Sequence, residues 1–521
     1  MLNKSPLGIR LRLHWGFSFS SYISHRMSWT VSQIKSHVNQ TPDNVAIHLD
    51  GVKWSYRELW SRSNQLAGFL HDLNAKNQAI GIYTNNTLDM YAALLASWIS
   101  GNYFIPLNHK FPADRLMQMI AESQLVAIFC EKSSSSEIEK WELNIPILTY
   151  CTITPRAASE TNQDFSDAQA YTLFTSGSTG KPKGIPINHS HLHALMQDLI
   201  DRYPLSKDDK VLQAFEISFD VSIACILLAW TQGAQLVVAN LNGITAINAF
   251  KAIHDHHINF VTLPPSALHY LKRLRMLEMP LPWVKKTIFT GEALSFNVAK
   301  EWQQCAMHTS VDNAYGPTEG TVWSLIYSLD ESTASQTING LCPIGQPLKN
   351  ILMRIVDEEG REVRPGERGE LWIGGSQIFH GYVQLPEKTK EVLFVTADNQ
   401  YWYKTGDIVL QNSENQVVYI NRKDNQVQVN GFRVELGEIE HHLRSIISSE
   451  SAVVIAHESQ GVTELFAFIQ GDWNQDIVLN RIREKVPGYM VPRKLFILDH
   501  LPINTSGKID KLLLKEKYII S

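Results

Sequence analysis

Short β-rich runs alternate with helical runs from about Asn77 onward, and this alternation limits the possible folds more than any other feature of the sequence. Residues 79–83 read as a strand, residues 87–100 as a helix that is apolar on nearly every face, and residues 103–107 as a second strand. Such alternation is typical of a parallel sheet covered by helices. Further strands are predicted at residues 125–130, 210–214, 235–239, 260–263, 287–289 and 310–313.

Several of these strands are followed by short turns that are polar or rich in glycine and proline. Three such turns are residues 264–265, 290–292 and 314–317. In open α/β sheets, ligands bind outside the carboxyl ends of the strands. We therefore expect these three turns to converge on one crevice.

The pattern changes twice in the second half of the chain. Residues 350–419 alternate strands with hairpin-like turns, which predicts a small antiparallel unit. Beyond it we predict helices at residues 436–446 and 477–486 and strands at 452–456 and 465–469.

The fold class is therefore expected to be mixed α/β with two domains. Residues 27–421 are predicted to form a large domain of helix-covered sheets that includes the antiparallel unit, and residues 422–521 a small, mobile α+β lid. Asp424, in a charged segment, is the expected hinge. Residues 1–26 are expected to be a disordered tail, or to precede a true start at Met27.

Composition excludes several classes of function. The 47 basic and 52 acidic residues are well mixed and give a net charge of -5, so nothing indicates binding to nucleic acid or to an anionic membrane. The five cysteines lie far apart, which argues against a disulfide framework and a zinc site. No apolar stretch reaches the roughly 20 residues that span a bilayer. We expect a cytoplasmic protein.

The strongest chemical signal lies in residues 171–184, where an apolar strand leads into a loop rich in glycine. Glycine lets backbone N–H groups curl around an oxyanion. Hydroxyl and ammonium groups add further donors at Thr175, Ser176, Ser178, Thr179, Lys181 and Lys183. The loop lacks the spacing of the P-loop of kinases and ATPases. A flexible linker is the alternative, but the apolar lead-in and the run of hydroxyls favour a phosphate-binding loop.

This loop closely resembles the phosphate-binding signature of the acyl-adenylate-forming enzymes, which include acyl-CoA synthetases, luciferases and the adenylation domains of nonribosomal peptide synthetases. The resemblance covers nearly the whole chain after Met27. The matching segments are FDVS (219–222), NAYGPTE (313–319), GELWIGG (369–375), YKTGD (403–407), VNGFRVELGEIE (429–440) and NTSGKID (504–510). The chain is most similar to members that activate amino acids, namely peptide-synthetase adenylation domains and D-alanine–carrier protein ligases.

The resemblance implies where ATP binds. Tyr315 is expected to stack on adenine, with Asn313 near the purine edge and residues 291–293 as the opposite wall. Asp407 is expected to accept both ribose hydroxyls, because one carboxylate has two acceptor oxygens, and Arg422 to reach the ribose from the hinge. The residues expected to contact ATP are Thr175, Ser176, Gly177, Ser178, Thr179, Gly180, Lys181, Gly291, Glu292, Ala293, Asn313, Ala314, Tyr315, Gly316, Asp407 and Arg422.

The resemblance also implies the catalytic groups. Thr318 is expected to touch the α-phosphate, and Glu319 to hold Mg²⁺. Lys508 is expected to swing over the site with the small domain and to bridge the attacking carboxylate and the α-phosphate. Both reactants are anions, so a lysine and Mg²⁺ offset their repulsion. No general base is needed, because a carboxylate is already ionised near neutral pH.

Asp220 indicates the class of substrate. In the amino-acid-activating members an aspartate at this position pairs with the α-ammonium group, whereas an acyl chain would gain nothing from a carboxylate. A solvated loop acid or a helix N-cap is the alternative reading. The resemblance implies an uncharged side-chain pocket lined by Val221, Ala224, Thr262, Ile288, Thr290, Ala314, Val322 and Trp323. This pocket predicts a neutral amino acid of modest size.

The predicted reaction has two steps. An amino acid and MgATP give aminoacyl-AMP and pyrophosphate, and a phosphopantetheine thiol then takes the acyl group after the small domain has pivoted, with Gly431 beside the thiol tunnel. Because the sequence stops soon after Lys508, the thiol is expected on a separate carrier protein. Two alternatives stay open: an acyl- or aryl-CoA synthetase, in which Asp220 is incidental, and a noncatalytic scaffold that binds nucleotide or carrier.

Overall fold

The computed structural model describes residues 28–73, 75–151, 167–177, 180–449, 451–459, 461–503 and 509–520. Up to residue 149 the strands are β1 (Val45–Leu49), β2 (Val52–Ser55), β3 (Ala79–Thr84), β4 (Tyr103–Asn108), β5 (Ala127–Cys130) and β6 (Ile147–Thr149). The helices of this part are α1 (Trp29–Gln40), α2 (Tyr56–Asp72), α3 (Leu88–Ile99), α4 (Ala113–Ser123) and α5 (Lys132–Glu139).

The central part of the chain continues the alternation. Its strands are β7 (Gln169–Thr175), β8 (Lys183–Asn188), β9 (Lys210–Gln213), β10 (Gln235–Val238), β11 (Phe260–Leu263), β12 (Lys286–Thr290), β13 (Ser310–Tyr315), β14 (Leu325–Ser328) and β15 (Gln346–Pro347). Its helices are α6 (His189–Arg202), α7 (Asp220–Trp230), α8 (Thr245–His256), α9 (Ser266–Arg273), α10 (Phe296–Cys305) and α11 (Thr333–Gln336).

The last part of the chain is richer in strands. They are β16 (Ile351–Val356), β17 (Arg368–Gly375), β18 (Leu393–Val395), β19 (Tyr401–Gln411), β20 (Val417–Arg422), β21 (Gln426–Val429), β22 (Phe432–Glu435), β23 (Ala452–Ser459), β24 (Val462–Gln470) and β25 (Lys494–Leu498). The helices are α12 (Pro386–Val392), α13 (Leu436–Ile447), α14 (Gln475–Arg483) and α15 (Lys511–Lys515).

Two large sheets form the centre of the fold. One has nine strands in the order β15-β14-β13-β12-β11-β9-β10-β1-β2, and the other has six in the order β6-β5-β3-β4-β7-β8. The central strands of both sheets pair in parallel, whereas β2, β8, β14 and β15, at or next to the edges, pair antiparallel. The mixed α/β class predicted from the alternating pattern is therefore confirmed.

Two almost wholly apolar helices, α3 and α7, belong to a hydrophobic core that includes residues from both sheets. The Thr87 hydroxyl caps α3 by accepting the Met90 N–H, and Gly101 follows the helix with a φ of 71°. Trp98 of α3 donates to the Ala170 carbonyl at 2.9 Å, which ties the helix to β7. The buried helix predicted at residues 87–100 is thus confirmed.

The antiparallel unit predicted at residues 350–419 is present as the sheet β16-β17-β19-β18, with β20 paired to β19. After it, β21 and β22 form a hairpin and β23-β24-β25 form a three-stranded sheet. Helices α13 and α14 pack with these strands around a hydrophobic cluster drawn from residues 427–497. Within the described ranges, no helix has both the length and the apolar character needed to cross a membrane.

The ends of β11, β12 and β13 position the candidate site. These strands are parallel neighbours, so the turns that follow them leave the same edge of the sheet. Oε2 of Glu292, after β12, accepts the Ser266 N–H after β11 at 2.8 Å. The turns lie side by side, as the sequence predicts.

Candidate active site

The predicted phosphate loop joins β7 to β8, which form an antiparallel hairpin with Thr175 opposite Lys183. Oγ1 of Thr175 is buried and has no hydrogen-bond partner among the described residues, so it can still bond a ligand. Lys181 is exposed. Two further predicted contacts, Ser178 and Thr179, lie outside the described residues.

The next two residues of this loop contact the carboxy-terminal part of the chain. Ser176 Oγ donates to the Arg433 carbonyl at 3.0 Å and accepts the Glu435 N–H at 3.1 Å. The Gly177 N–H donates to Oε2 of Glu438 at 3.1 Å. The segment from β22 into α13 is therefore docked directly on the phosphate loop.

Two glycines extend this contact. Gly180 lies so close to α13 that a β-carbon there would collide with the ring of His441. Gly431, at the tip of the β21–β22 hairpin, donates its N–H to Oε1 of Glu292 at 2.5 Å. Its φ is 82°, and a β-carbon would lie 3.3 Å from Pro264. The hairpin tip thus reaches the turns that follow β11 and β12.

Three of the residues predicted to hold adenosine, namely Tyr315, Asp407 and Arg422, form one hydrogen-bonded group. The Tyr315 hydroxyl donates to Oδ2 of Asp407 at 2.5 Å, and Arg422 Nη1 donates to Oδ1 at 2.8 Å. Arg422 also forms a two-bond ion pair with the predicted hinge residue Asp424. Burial raises the pKa of Asp407 from its ordinary value, and the Arg422 charge partly offsets that effect.

Other predicted nucleotide contacts lie at the ends of β12 and β13, namely Gly291, Glu292, Ala293, Asn313, Ala314 and Gly316. Ala293 is exposed, whereas Asn313 is buried and donates to the Pro343 carbonyl at 2.8 Å. A β-carbon at Gly316 would lie 2.3 Å from the Val322 carbonyl oxygen, so only glycine fits there. The Glu292 carboxylate accepts the backbone N–H groups of Ser266 and Gly431.

Glu319 lies at the centre of the site and is fully buried. The Tyr382 hydroxyl donates to its Oε1 at 2.8 Å, and Arg433 Nη1 pairs with its Oε2 at 2.8 Å. Burial alone would raise the pKa of Glu319, but the charges of Arg433 and Lys183 outweigh burial and hold that pKa at about 2. Glu319 is therefore ionised at neutral pH.

The chemistry of Glu319 fits Mg²⁺, which prefers ionised carboxylates completed by water and substrate phosphates. In the docked arrangement Arg433 occupies the position that a cation would take at Oε2. The described ranges contain no cluster of three or more His, Cys, Asp or Glu side chains suited to a metal ion. Lys508, the predicted catalytic cation, lies outside the described residues.

Asp220 is the first residue of α7, and Phe219 is the N-cap, so the N-cap reading does not apply. The solvated reading does not apply either, because the carboxylate is partly buried and is bonded by the Thr318 hydroxyl and the Val221 N–H. None of the described lysine, arginine or histidine side chains forms an ion pair with it. Burial raises the pKa of Asp220 from 3.8 to about 6.

The predicted side-chain pocket is brought together by three parallel strands and α7. Register places Thr262 beside Ile288 and Thr290 beside Ala314. Trp323 donates its indole N–H to Thr290 Oγ1 at 3.0 Å. The remaining members, Val221, Ala224 and Val322, belong to or pack on the same core. No charged side chain is among them.

Sequence reasoning missed the charged pairs that join the segment 433–438 to earlier parts of the chain. Arg115 of α4 pairs with Glu438 of α13, and Arg433 and Glu435 contact Glu319 and Lys183. These partners are separated by 114 to 323 positions. No local pattern in a single sequence indicates such a pairing.

Comparisons with known proteins show the family of this chain. A family model for AMP-binding enzymes matches residues 34–383. Zwittermicin A synthase ZmaJ of Bacillus cereus is 31% identical over 510 residues, which cover 92% of this chain and 93% of ZmaJ. The dimodular nonribosomal peptide synthase of Bacillus subtilis (strain 168) is 30% identical over 491 residues, which cover 90% of this chain but 20% of that protein. The chain thus spans about a fifth of the length of this multidomain relative.

Solved structures show the same fold. The Vibrio cholerae adenylation domain AlmE superposes with a TM-score of 0.83 at 24% identity, covering 98% of this chain and 99% of AlmE. IdnL7 superposes with a TM-score of 0.70 at 28% identity, covering 94% of this chain and 98% of IdnL7. The family model covers more than half of the chain, and ZmaJ aligns over nearly its full length. The chain therefore belongs to the AMP-binding enzymes and is an AMP-forming ligase built as an adenylation domain of the nonribosomal peptide synthetase type.

Proposed function

We propose that this ligase converts an amino acid to aminoacyl-AMP with release of pyrophosphate, and then transfers the aminoacyl group to the phosphopantetheine thiol of a separate carrier protein. The observation that supports an amino acid most directly is the Asp220 carboxylate. It adjoins the predicted side-chain pocket and forms no ion pair with any described residue.

The ionised form of Asp220 is unfavourable without a cation, as the raised pKa of about 6 reflects. An ammonium group beside the carboxylate would lower that pKa and form a charge-assisted hydrogen bond. The Thr318 hydroxyl and the Val221 N–H hold the carboxylate in position for this contact. An acyl- or aryl-CoA synthetase would have no use for such a group.

The side chain of the substrate is proposed to be neutral and of modest size. None of the residues predicted to line the pocket is charged. A charged substrate side chain would therefore be buried there without a partner, which costs several kcal/mol. A cost of this size is enough to reject a charged amino acid. The polar N–H of Trp323 is already bonded to Thr290, so the ring presents an apolar surface. This combination favours aliphatic or small polar side chains.

In the first step, a substrate carboxylate oxygen attacks the α-phosphorus, the α–β phosphorus–oxygen bond breaks, and pyrophosphate leaves with the electron pair. Asp407 has about four acceptor sites, of which Tyr315 and Arg422 use two, so two stay available for the ribose hydroxyls. We propose that Lys508 neutralises the two anions as they meet. Glu319 would hold Mg²⁺, which would supply positive charge to the phosphate oxygens when bound.

In the second step, the thiol sulfur bonds to the acyl carbon and AMP leaves. The β21–β22 hairpin, whose tip contacts Glu292 and Pro264, is proposed to line the path of the thiol. We propose that residues 422–521 pivot at Asp424 relative to residues 27–421 between the two steps. Five free cysteines support a reducing, cytoplasmic location.

Pyrophosphate exchange tests this proposal. The purified protein is incubated with ATP, Mg²⁺, labelled pyrophosphate and each amino acid, and formation of labelled ATP is measured. Each active amino acid is paired with the corresponding acid that lacks the α-amino group. We expect exchange with one or a few neutral amino acids and at least tenfold less with the paired acids, since a charge-assisted bond contributes about 1.5–3 kcal/mol. Equal exchange with the paired acids would refute the role of Asp220.

A further inference from the structure

Among the described residues, the most deeply buried ion pair that joins the segment 433–438 to the preceding part of the chain is that of Arg115 with Glu438. Arg115 lies in the first turn of α4, and its side chain is 4% exposed, while that of Glu438 is fully buried. Nη1 of Arg115 pairs with Oε1 of Glu438. The other oxygen, Oε2, accepts the Gly177 N–H of the phosphate loop at 3.1 Å. One carboxylate therefore fills the space between a guanidinium and a backbone N–H donor.

A phosphoryl group would suit the same space. Guanidinium and backbone N–H groups are the donors that proteins use for phosphate oxygens. Arg115 also retains unused capacity, because its Nε is buried and, within the described ranges, has no hydrogen-bond partner. Glu438 alone does not satisfy this guanidinium.

A second carboxylate repeats the arrangement on the other side of the loop. Lys183, at the start of β8, pairs with Oε1 of Glu435 at 3.3 Å. Lys183 lies in the phosphate loop but here it binds a carboxylate of the docked segment. Arg433, in the same segment, is positively charged, and its Nη1 lies 2.8 Å from Oε2 of Glu319. The segment 433–438 thus presents two anions to the phosphate-binding groups and one cation to the proposed metal ligand.

We propose that Arg115 binds a terminal phosphate of ATP when Glu438 has withdrawn, and that Glu438 and the β- and γ-phosphates compete for one set of donors. Arg115 is then a phosphate-binding residue in the first step and a docking residue in the second. Departure of pyrophosphate frees the donors for Glu438, which couples product release to docking. The inference rests on the proposed function for the place of ATP, but it concerns binding and not the identity of the acid.

The test uses two nucleotides that differ in their phosphates. α,β-Methylene-ATP carries all three, whereas AMP lacks the β- and γ-phosphates. Binding of each with Mg²⁺ is measured by calorimetry. We expect Glu438→Gln to bind α,β-methylene-ATP about tenfold more tightly than the wild type, because the competing carboxylate is gone. We expect Arg115→Ala to bind it about tenfold more weakly, because a charged contact to phosphate is lost. The affinity for AMP should stay unchanged in both variants.

The opposite signs separate the proposal from a structural role. If Arg115 and Glu438 only fasten the docked segment, the two substitutions shift the affinity for α,β-methylene-ATP in the same direction or leave it unchanged, and either result would overturn the proposal. Arg115→Lys, which keeps the charge, should regain most of the lost affinity. Glu440→Gln is the matched control, because this carboxylate of the same helix bonds Val454 and Lys511 and not the phosphate loop.

Hydrogen exchange gives a second readout that does not depend on the stability of the Arg115 variants. The N–H groups of Gly431 and Glu435 donate across the interface to Glu292 and Ser176. In the wild type they should exchange faster with α,β-methylene-ATP than with AMP, and equal exchange would overturn the proposal. None of these measurements needs an amino acid, so a failure of pyrophosphate exchange alone would count against the proposed function only.

Discussion

At the scale of single residues, Asp220 links stability to substrate binding. Its pKa in the folded protein is about 6, above the ordinary 3.8. The folded state therefore holds the proton more tightly than the unfolded chain, and this stabilisation is present at low pH and is lost as pH rises through about 6. The ionised carboxylate that would bind an ammonium group thus destabilises the substrate-free protein.

The first prediction concerns Asp220→Asn. At pH 7 this change should raise the free energy of unfolding. The pKa shift of Asp220 sets an upper limit of about 3 kcal/mol on the increase, and solvent screening of the partly exposed side chain makes the increase smaller. Urea unfolding at pH 7 measures the gain, which should shrink toward pH 4. Exchange of pyrophosphate with amino acids should be lost in the same variant. Asp208→Asn removes an exposed carboxylate and should change neither quantity.

The second prediction concerns pH. Because protonated Asp220 cannot attract an ammonium group, kcat/KM for the amino acid should fall about tenfold per pH unit below pH 6, the pKa of this group in the free enzyme. The same profile measured with the corresponding acid that lacks the amino group should be flat in this range. A flat profile for the amino acid itself would contradict the assignment.

At the scale of elements, the tip of the β21–β22 hairpin carries the third prediction. Gly431 has a left-handed backbone and lies against Pro264, so alanine there meets backbone strain and a close contact. A cost of about 1–2 kcal/mol should slow transfer to the thiol roughly tenfold. Pyrophosphate exchange should change less than transfer, because the hairpin is proposed to act in the second step.

Gly366→Ala is the matched control for that experiment. Gly366 also has a left-handed backbone, with a φ of 89°, but a β-carbon there meets nothing within 4 Å. Both variants carry a similar backbone cost, and only Gly431 lies at the site. Equal losses of thiol transfer in the two variants would assign the effect to general destabilisation.

Elements with strong local signals could be predicted from the sequence. The helix at Leu88–Ile99 has a threonine cap, an apolar run and a terminal glycine, and its bounds agree within a residue. Helix α2 was missed although Ser55 and Glu58 form a capping box that local reading can detect. Contacts such as Arg433 with Glu319 depend on docking of distant segments, which local patterns do not encode.

At the scale of the whole molecule, the described arrangement has the segment 431–438 docked on the phosphate loop and on Glu319. The first step is proposed to need a different arrangement, with Lys508 at the nucleotide. The fourth prediction is that Lys508→Ala slows adenylate formation by about 10²–10³-fold, the usual effect of removing one group that stabilises a transition state.

Transfer from chemically prepared aminoacyl-AMP to a pantetheine thiol should be nearly unaffected in that variant, because Lys508 is not proposed to act in the second step. Lys511→Ala is the control, since Lys511 pairs with Glu440 inside the carboxy-terminal part. Comparable losses in both half-reactions would contradict the division of labour between the two arrangements.

Direct detection of the intermediate tests the central claim, that an amino acid and ATP are joined through the α-phosphorus. The protein is mixed with ATP, Mg²⁺ and an amino acid active in exchange, quenched within one turnover, and analysed by mass spectrometry. We predict aminoacyl-AMP and pyrophosphate in equal amounts, and no aminoacyl-AMP with Asp220→Asn. Formation of ADP and phosphate, or of acyl-AMP only from acids without an amino group, would contradict the account.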